Sequence, residues 1–274
     1  MIPEREDIAI THEPGLAFDH AAPAYDHLES LPGTIRYRKI MMSVYLKYFH
    51  PGSHLLELNC GTGTEAVSLA HRGMTVLATD ASPAMVSAAE RKISATGLGP
   101  SVTVRILPFD RLQELHGMQF DGAYSSMGGL NCTNQLDRVS RELAPLVRPD
   151  GFFIVSTMTR FSVYESLSFL AHGKLLRVFR RMGNGQVNVQ GFPVRTYFYS
   201  PREIVTSFSS HFQAVSIIGL NIFAPPPNSS LLYRTHPRFA RGLERMDDAV
   251  SSVYPFSHAG DHSCVVFKRK PATE

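Results

Sequence analysis

The sequence predicts an α/β fold in which a mostly parallel sheet is covered by helices on both faces. Three observations predict it. Short apolar runs alternate with helical segments of similar length across residues 53–157, as strands buried on both faces do. A glycine-rich turn, Asn59-Cys60-Gly61-Thr62-Gly63, joins the first of those runs directly to a helix. The chain has 274 residues, 43% hydrophobic and 19% charged, which suits a globular protein with a sizeable core.

The elements follow in order. Residues 1–17 read as a polar arm and 18–49 as helix, with Ile35, Ile40, Val44 and Tyr48 near helical spacing up to the His50-Pro51-Gly52 break. Strands are predicted at 53–59, 74–80, 102–107, 120–126 and 151–157. Helices lie between them at 64–73, closed by Gly73, at the segment opened by Ser82-Pro83, and at 136–147. The character changes at 158. A basic helical stretch (161–181), a Gly-Asn-Gly run and two strand-like runs lead to Ser200-Pro201-Arg202-Glu203, a capping box. Strands at 213–223 and 263–270 enclose a second insertion that opens on three prolines.

The expected division is therefore an N-terminal arm and helices (1–50), a core (51–157), a cap insertion (158–199), core again (200–223), a second cap insertion (224–260) and the last core strand (261–274). Both insertions follow strand ends that face the ligand side of an open α/β sheet. They are rich in aromatics, among them Tyr164, Tyr197 and Phe198 in the first and Tyr233, Phe239, Tyr254 and Phe256 in the second. They are expected to form a lid that makes the substrate pocket.

In the turn, Gly61 and Gly63 let the backbone approach a ligand closely, and Asn59 tolerates a left-handed conformation. The following helix presents free N–H groups. Asp80 closes the second strand, where an acid can accept bonds from two ribose hydroxyls. This design serves either a dinucleotide or S-adenosylmethionine. The acidic Glu57 within the turn region, the roughly fifty residues before the first strand and the final strand pair joined by a long connection favour the second.

These segments resemble the class I, Rossmann-like, S-adenosylmethionine-dependent methyltransferases. The resemblance rests on FDHAAPAYDHLE (18–29), LELNCGTG (56–63), ATDASPAMV (78–86), FDGAYSS (120–126) and LVRPDGFFIVS (146–156). It implies a seven-stranded sheet with an antiparallel last strand. It places the glycine-rich turn on Glu57, Asn59, Gly61 and Gly63, the ribose acid on Asp80, Ala81 and Met85 beside the adenosine, and Tyr25 near the methionine end. Two departures stand out. Asn59 replaces the turn's usual first glycine, and Pro108 occupies the place of the usual adenine-binding acid, leaving Asp110 or Phe109 for that task. The expected activity is methyl transfer by in-line displacement to a small or medium-sized organic acceptor, anionic or aromatic. The alternatives are an NAD(P)-dependent oxidoreductase or a non-catalytic S-adenosylmethionine-binding protein.

Candidate catalytic residues are Asn131, His258 and His262. Ser125, Ser126 and Asn131 follow the fourth strand and either hold substrate or only close a loop. His258 and His262 flank Asp261 and are either a general base or solvated loop histidines. Cys60 and Cys132 read as small buried residues. The first insertion carries seven basic side chains from Arg160 to Arg202 against Glu165 alone. That is a field for an anionic substrate or membrane surface, or else a solvated face. No metal spacing is present among the 12 histidines and three cysteines. A net charge of +3 does not call for nucleic acid. No apolar run reaches a membrane span, and the N-terminus does not read as a secretory signal. A cytoplasmic monomer or homodimer is expected.

Overall fold

The computed structural model describes residues 14–182, 185–189, 191–227 and 229–271. Most of the expected N-terminal arm (1–13) and two residues of the Gly-Asn-Gly run (183–184) lie outside them. The described chain begins in helix α1 (Pro14–Glu29), so the arm's last residues are already helical. Helix α2 (Pro32–Tyr48) follows.

The alternating region gives β1 (His54–Leu58), α3 (Thr64–Ala70), β2 (Thr75–Asp80), α4 (Pro83–Thr96), β3 (Val102–Ile106), β4 (Phe120–Ser125), α5 (Leu136–Leu143) and β5 (Val147–Met158). The first insertion holds α6 (Val163–Ala171) and a hairpin of β6 (Gly185–Val189) and β7 (Phe192–Thr196). The basic stretch is not one helix, because Gly173 adopts φ +68 and a short 3-10 turn, Leu175–Phe179, follows. Then come α7 (Pro201–Phe208), β8 (Phe212–Leu220), α8 (Leu231–Thr235), α9 (Pro237–Val250) and β9 (His262–Arg269). The capping box opens α7, with Ser200 and Glu203 bonded reciprocally.

The large sheet has seven strands in the order β3-β2-β1-β4-β5-β9-β8. The first five are parallel, and β9 runs antiparallel to both β5 and β8. Alternation along each strand splits the core in two. Leu56, Leu58, Phe153, Val155, Val265 and Phe267 meet α5 and α7 on one face. There Phe208 lies 5.2 Å from the Phe153 ring and 5.3 Å from Phe267. Leu55, Ile154, Cys264 and Val266 face α2, α3 and α4 on the other.

Helix α2 buries Tyr37, Met41, Val44 and Tyr45. The expected stripe through Ile35 is thus rotated, and Ile35 is 55% exposed. Tyrosine rings win the core position because their area is large, and the Tyr37 hydroxyl also finds partners there. Tyr37 donates to Ser156 Oγ at 2.6 Å and accepts from the Met127 amide at 3.0 Å.

The strand order reverses between β1 and β4, so the loops after these two strands diverge and leave a crevice at the carboxyl edge. The β6–β7 hairpin roofs that crevice and reaches α1, where Phe192 stacks on His20 at 4.3 Å. Polar contacts tie the second insertion to α2, and its 3-10 turn at Phe256–His258 packs on β8. Arg36 bonds Asp248 Oδ1 at 2.9 Å, and Thr34 donates to the Pro227 carbonyl at 2.9 Å. Among the described residues of that insertion, Pro226 and Pro227 alone line the crevice, with Asp261 and His262 just beyond it. Tyr254 and Phe256 line a separate shallow hollow, and Tyr233 donates to Glu244 Oε1. The second half of the expected lid is therefore corrected. These contacts hold the segment away from the opening, and Asp247 caps its loop by accepting the Phe223 amide at 2.7 Å.

Candidate functional site

The crevice opens into a cavity of about 1310 Å³, more than the 300–1,000 Å³ or so typical of a single-ligand pocket. Its floor is the turn after β1. Asn59 and Gly61 take positive φ values of 56 and 52, and Gly63 of 79. At Gly63 a Cβ would stand 3.0 Å from Ala89 Cβ, so the residue lets α3 and α4 pack closely. Asn59 does work that a glycine could not. Its Nδ2 donates to the Ser126 carbonyl at 2.9 Å, and its Oδ1 accepts from Ser125 Oγ at 2.5 Å. This side chain laces the β1 turn to the β4 turn across the strand reversal. It fits because Gly129 leaves space, since a Cβ there would fall 2.0 Å from the Asn59 amide carbon.

Asp80 stands at the end of β2 with both oxygens aimed at the turn. Oδ2 accepts the Gly61 amide at 2.8 Å and Oδ1 the Ser82 amide at 2.9 Å. Burial pushes its carboxyl above the usual range, and the amides of Ser82, Gly61 and Ala81 pull against that shift. Ser82 caps α4 by accepting the Met85 amide at 3.1 Å, which places Ala81 and Met85 on the cavity wall. Leu107, Pro108, Phe109 and Asp110 close the same side after β3, with Cys132 and Val139 opposite.

Toward the N-terminal helices the wall is charged. Arg38 donates to Glu29 Oε1 at 3.0 Å and pairs with Glu65, yet its buried Nε keeps no hydrogen-bond partner. Tyr25 lies on the wall beside it, and burial pushes its phenol up to about 12, so it stays protonated. Thr62 and Thr64 bond Glu29, and Lys92 bridges Asp26 and Thr62.

The far end of the cavity holds Ser126, Met127, Met158, Tyr164, Arg181, Asp261 and His262. Ser126 Oγ is buried without a partner. His262 Nδ1 lies 2.8 Å from Asp261 Oδ2, and its ring stands edge-on to Tyr37 at 5.2 Å between centroids. Arg181 joins the opposite Asp261 oxygen at 2.5 Å and also pairs with Glu165. Burial alone would raise the Asp261 carboxyl. The Arg181 guanidinium and His262 override it and hold the carboxyl well below the ordinary range.

The cavity thus collects Tyr25, Asn59, Gly61, Asp80, Ala81, Met85, Phe109, Asp110 and His262 from the sequence candidates. Gly63 lies just behind, supporting the turn. Four candidates are placed elsewhere. Glu57 shares the β1 face of Leu55, under the turn, and is not on the cavity wall. Burial, and then the Glu65 carboxylate, push its pKa well up. Ser125 is fully buried and committed to Asn59. Asn131 is also fully buried, and its amide is spent on structure. Nδ2 donates to the carbonyls of Met158 (3.0 Å) and Tyr197 (2.6 Å), while Oδ1 accepts the Met158 amide at 2.8 Å. It anchors the cap insertion and has no donor left for a substrate. His258 lies in the separate hollow with Tyr254 and Phe256. Conversely, Arg38, Glu65 and the Arg181–Asp261 pair escaped sequence reading. Their partners come from distant segments, and no local spacing signals them.

Residues 55–151 match a family model described as a methyltransferase domain. That segment carries a methyltransferase domain, and the chain has the fold of the class I methyltransferases. The match is to a methyltransferase domain rather than to a dinucleotide-binding one. Among curated proteins, malonyl-[acyl-carrier protein] O-methyltransferase of Serratia marcescens is 30% identical over 151 residues, 54% of this chain and 54% of that protein. The match therefore spans about half the length of that relative. Among solved structures, the [4+2]-cyclase SpnF superposes with a TM-score of 0.62 at 17% identity, covering 96% of this chain and 98% of that one. A geranyl diphosphate C-methyltransferase from Streptomyces coelicolor A3(2), solved with Mg2+, geranyl diphosphate and S-adenosyl-L-homocysteine, gives a TM-score of 0.53 at 13% identity over 85% of this chain and 78% of that one. At these identities the two structures speak to the fold. Among the described residues no helix is long and apolar enough to cross a membrane, and no group of His, Cys, Asp and Glu is arranged to hold a metal ion.

Proposed function

We propose that this methyltransferase domain transfers a methyl group to an O–H or N–H acceptor of small to medium size, with His262 as general base. The observation that carries the reading is the continuity of one cavity from Asp80 and the glycine-rich turn to the His262–Asp261 pair. Bound S-adenosylmethionine supplies an electrophilic methyl on a sulfonium centre. The chain's own residues do the rest. Asp80 would accept the ribose hydroxyls, its two oxygens already oriented by amides. Ala81, Met85, Leu107 and Phe109 form an apolar wall suited to adenine, with Asp110 at its edge. Arg38, with an unpartnered buried Nε, and the protonated Tyr25 suit a carboxylate at the amino-acid end.

At the far end, Asp261 Oδ2 stands 2.8 Å from His262 Nδ1 without hydrogen-bond alignment, a contact that leaves Nε2 as the nitrogen that can take a proton from the acceptor. Ser126 and Met127 line the compartment beside it. The hairpin roof limits water access. The unpaired Cys60, Cys132 and Cys264 fit a reducing compartment, and we place the protein in the cytoplasm.

The test is release of S-adenosylhomocysteine when the protein meets methyl-labelled cofactor and fractionated small-molecule extracts. Turnover, rather than binding, decides, because the same fold occurs in a cyclase. With an active fraction, His262→Gln is expected to lower kcat on the order of 100- to 10,000-fold while cofactor affinity is retained. An unchanged kcat removes His262 from the reaction. No release with any fraction favours a non-catalytic cofactor-binding protein.

A further inference from the structure

We infer that the cap segment 167–182 is a docking surface for an anionic membrane. Six large apolar side chains in it face solvent: Leu167 (55% exposed), Leu170 (48%), Leu175 (62%), Leu176 (91%), Phe179 (66%) and Met182 (60%). The pattern of α6 is inverted for a surface helix. Tyr164, Glu165 and Ser168 turn toward the cavity, and Leu167 and Leu170 turn away from it. An exposed apolar cluster of this density marks an interaction site on a folded protein.

Charge identifies the occupant. Lys174 and Arg177 sit within the cluster and are exposed. Among the described residues no carboxylate lies within ion-pair distance of either, whereas the nearby Arg180 and Arg181 are held by Glu165. Leu and Phe side chains that protrude singly, interleaved with unneutralised cations, match the interface of an anionic bilayer. There the apolar groups enter the headgroup–acyl boundary and the cations meet lipid phosphates. A second copy of this chain fits less well. A symmetric contact would set Lys174 and Arg177 against their own copies. The segment also borders the cavity, because Glu165, Ser168, Arg180 and Arg181 on its inner side line the wall. Docking would therefore bring the opening to the bilayer surface, where an amphiphilic acceptor resides. The inference stands apart from methyl transfer, since its readout is vesicle binding.

The experiment is flotation of the full chain with phosphatidylcholine vesicles prepared with and without phosphatidylglycerol, over a range of salt. Wild-type protein is expected to float with the anionic vesicles and to be released as salt rises. Lys174→Gln and Arg177→Gln should each lower the partition coefficient roughly fivefold. Leu176→Asp combined with Phe179→Asp should abolish flotation. All four residues lie outside the cavity wall, so each variant should keep wild-type cofactor affinity, which also reports that it is folded. Failure of the wild type to float with anionic vesicles overturns the inference, as does flotation that the variants leave undiminished. A concentration-dependent dimer that Leu176→Asp dissociates, without vesicle binding, assigns the surface to a second copy and overturns it equally.

Discussion

Arg181→Met is expected to destabilise the protein by about 3–5 kcal/mol, because it leaves a buried charge without its partner. Arg181 and Asp261 are each about 7% exposed at the side chain, and the guanidinium also holds Glu165 and donates to the carbonyls of Thr159 and Asp261. Methionine keeps much of the stem's volume, so the loss is chiefly electrostatic. A lower urea midpoint with unchanged slope is the measurement. The double variant Arg181→Met, Asp261→Asn should recover part of the loss, since the orphaned charge is then removed as well. The same pair sets an acid limit. Asp261 titrates lower in the folded chain than in the unfolded one, where an aspartate has a pKa of about 3.9. Its contribution is therefore complete above about pH 4–5 and is lost as the pH falls from there toward the depressed folded value. Arg181→Met should flatten that part of the stability–pH curve. A variant that unfolds in acid just as the wild type does would show that the pair is not the source.

Asp80→Asn is expected to weaken S-adenosylmethionine binding by roughly 30- to 150-fold, equivalent to about 2–3 kcal/mol for loss of a charge-assisted acceptor. The structure sharpens this expectation. Asp80 is also the acceptor for the Gly61 and Ser82 amides, at 2.8 and 2.9 Å. An asparagine must turn its NH₂ toward one of those donors or toward the ligand, so the turn and the ribose compete for a single oxygen. Calorimetric titration with S-adenosylhomocysteine checks the magnitude. Affinity within threefold of wild type in a folded variant would refute the ribose assignment.

The parts of this molecule that were legible in the sequence are those written in local chemistry. Strand–helix alternation marks the sheet because a strand buried on both faces must be continuously apolar. The turn shows itself through Asn59, Gly61 and Gly63, which are the residue types that tolerate positive φ. Ser82 and the Ser200–Glu203 box announce helix starts through side-chain acceptors within three residues.

The misplaced residues are those whose environment is set by distant segments. Asn131 looks like a loop residue available to substrate until the cap insertion supplies Met158 and Tyr197 as its partners. Glu57 looks like a ligand-facing acid until the pleat of β1 turns it to the face of Leu55. The basic excess of the first insertion is smaller in space than in sequence. Arg180 and Arg181 are neutralised by Glu165, and Arg181 also by Asp261 from beyond the second insertion. Among the described residues, the cations of this excess without a carboxylate partner, Lys174, Arg177, Arg195 and Arg202, are exposed and do not line the cavity.

A crystal structure of the complex with S-adenosylhomocysteine shows where each part of the cofactor lies. Expected are ribose hydroxyls on the Asp80 carboxylate, adenine between Ala81 and Phe109, the amino-acid carboxylate near Arg38 and Tyr25, and the sulfur facing the compartment of Ser126, Met127 and His262. Ligand bound with its sulfur turned away from that compartment, or held outside the cavity, would contradict this placement.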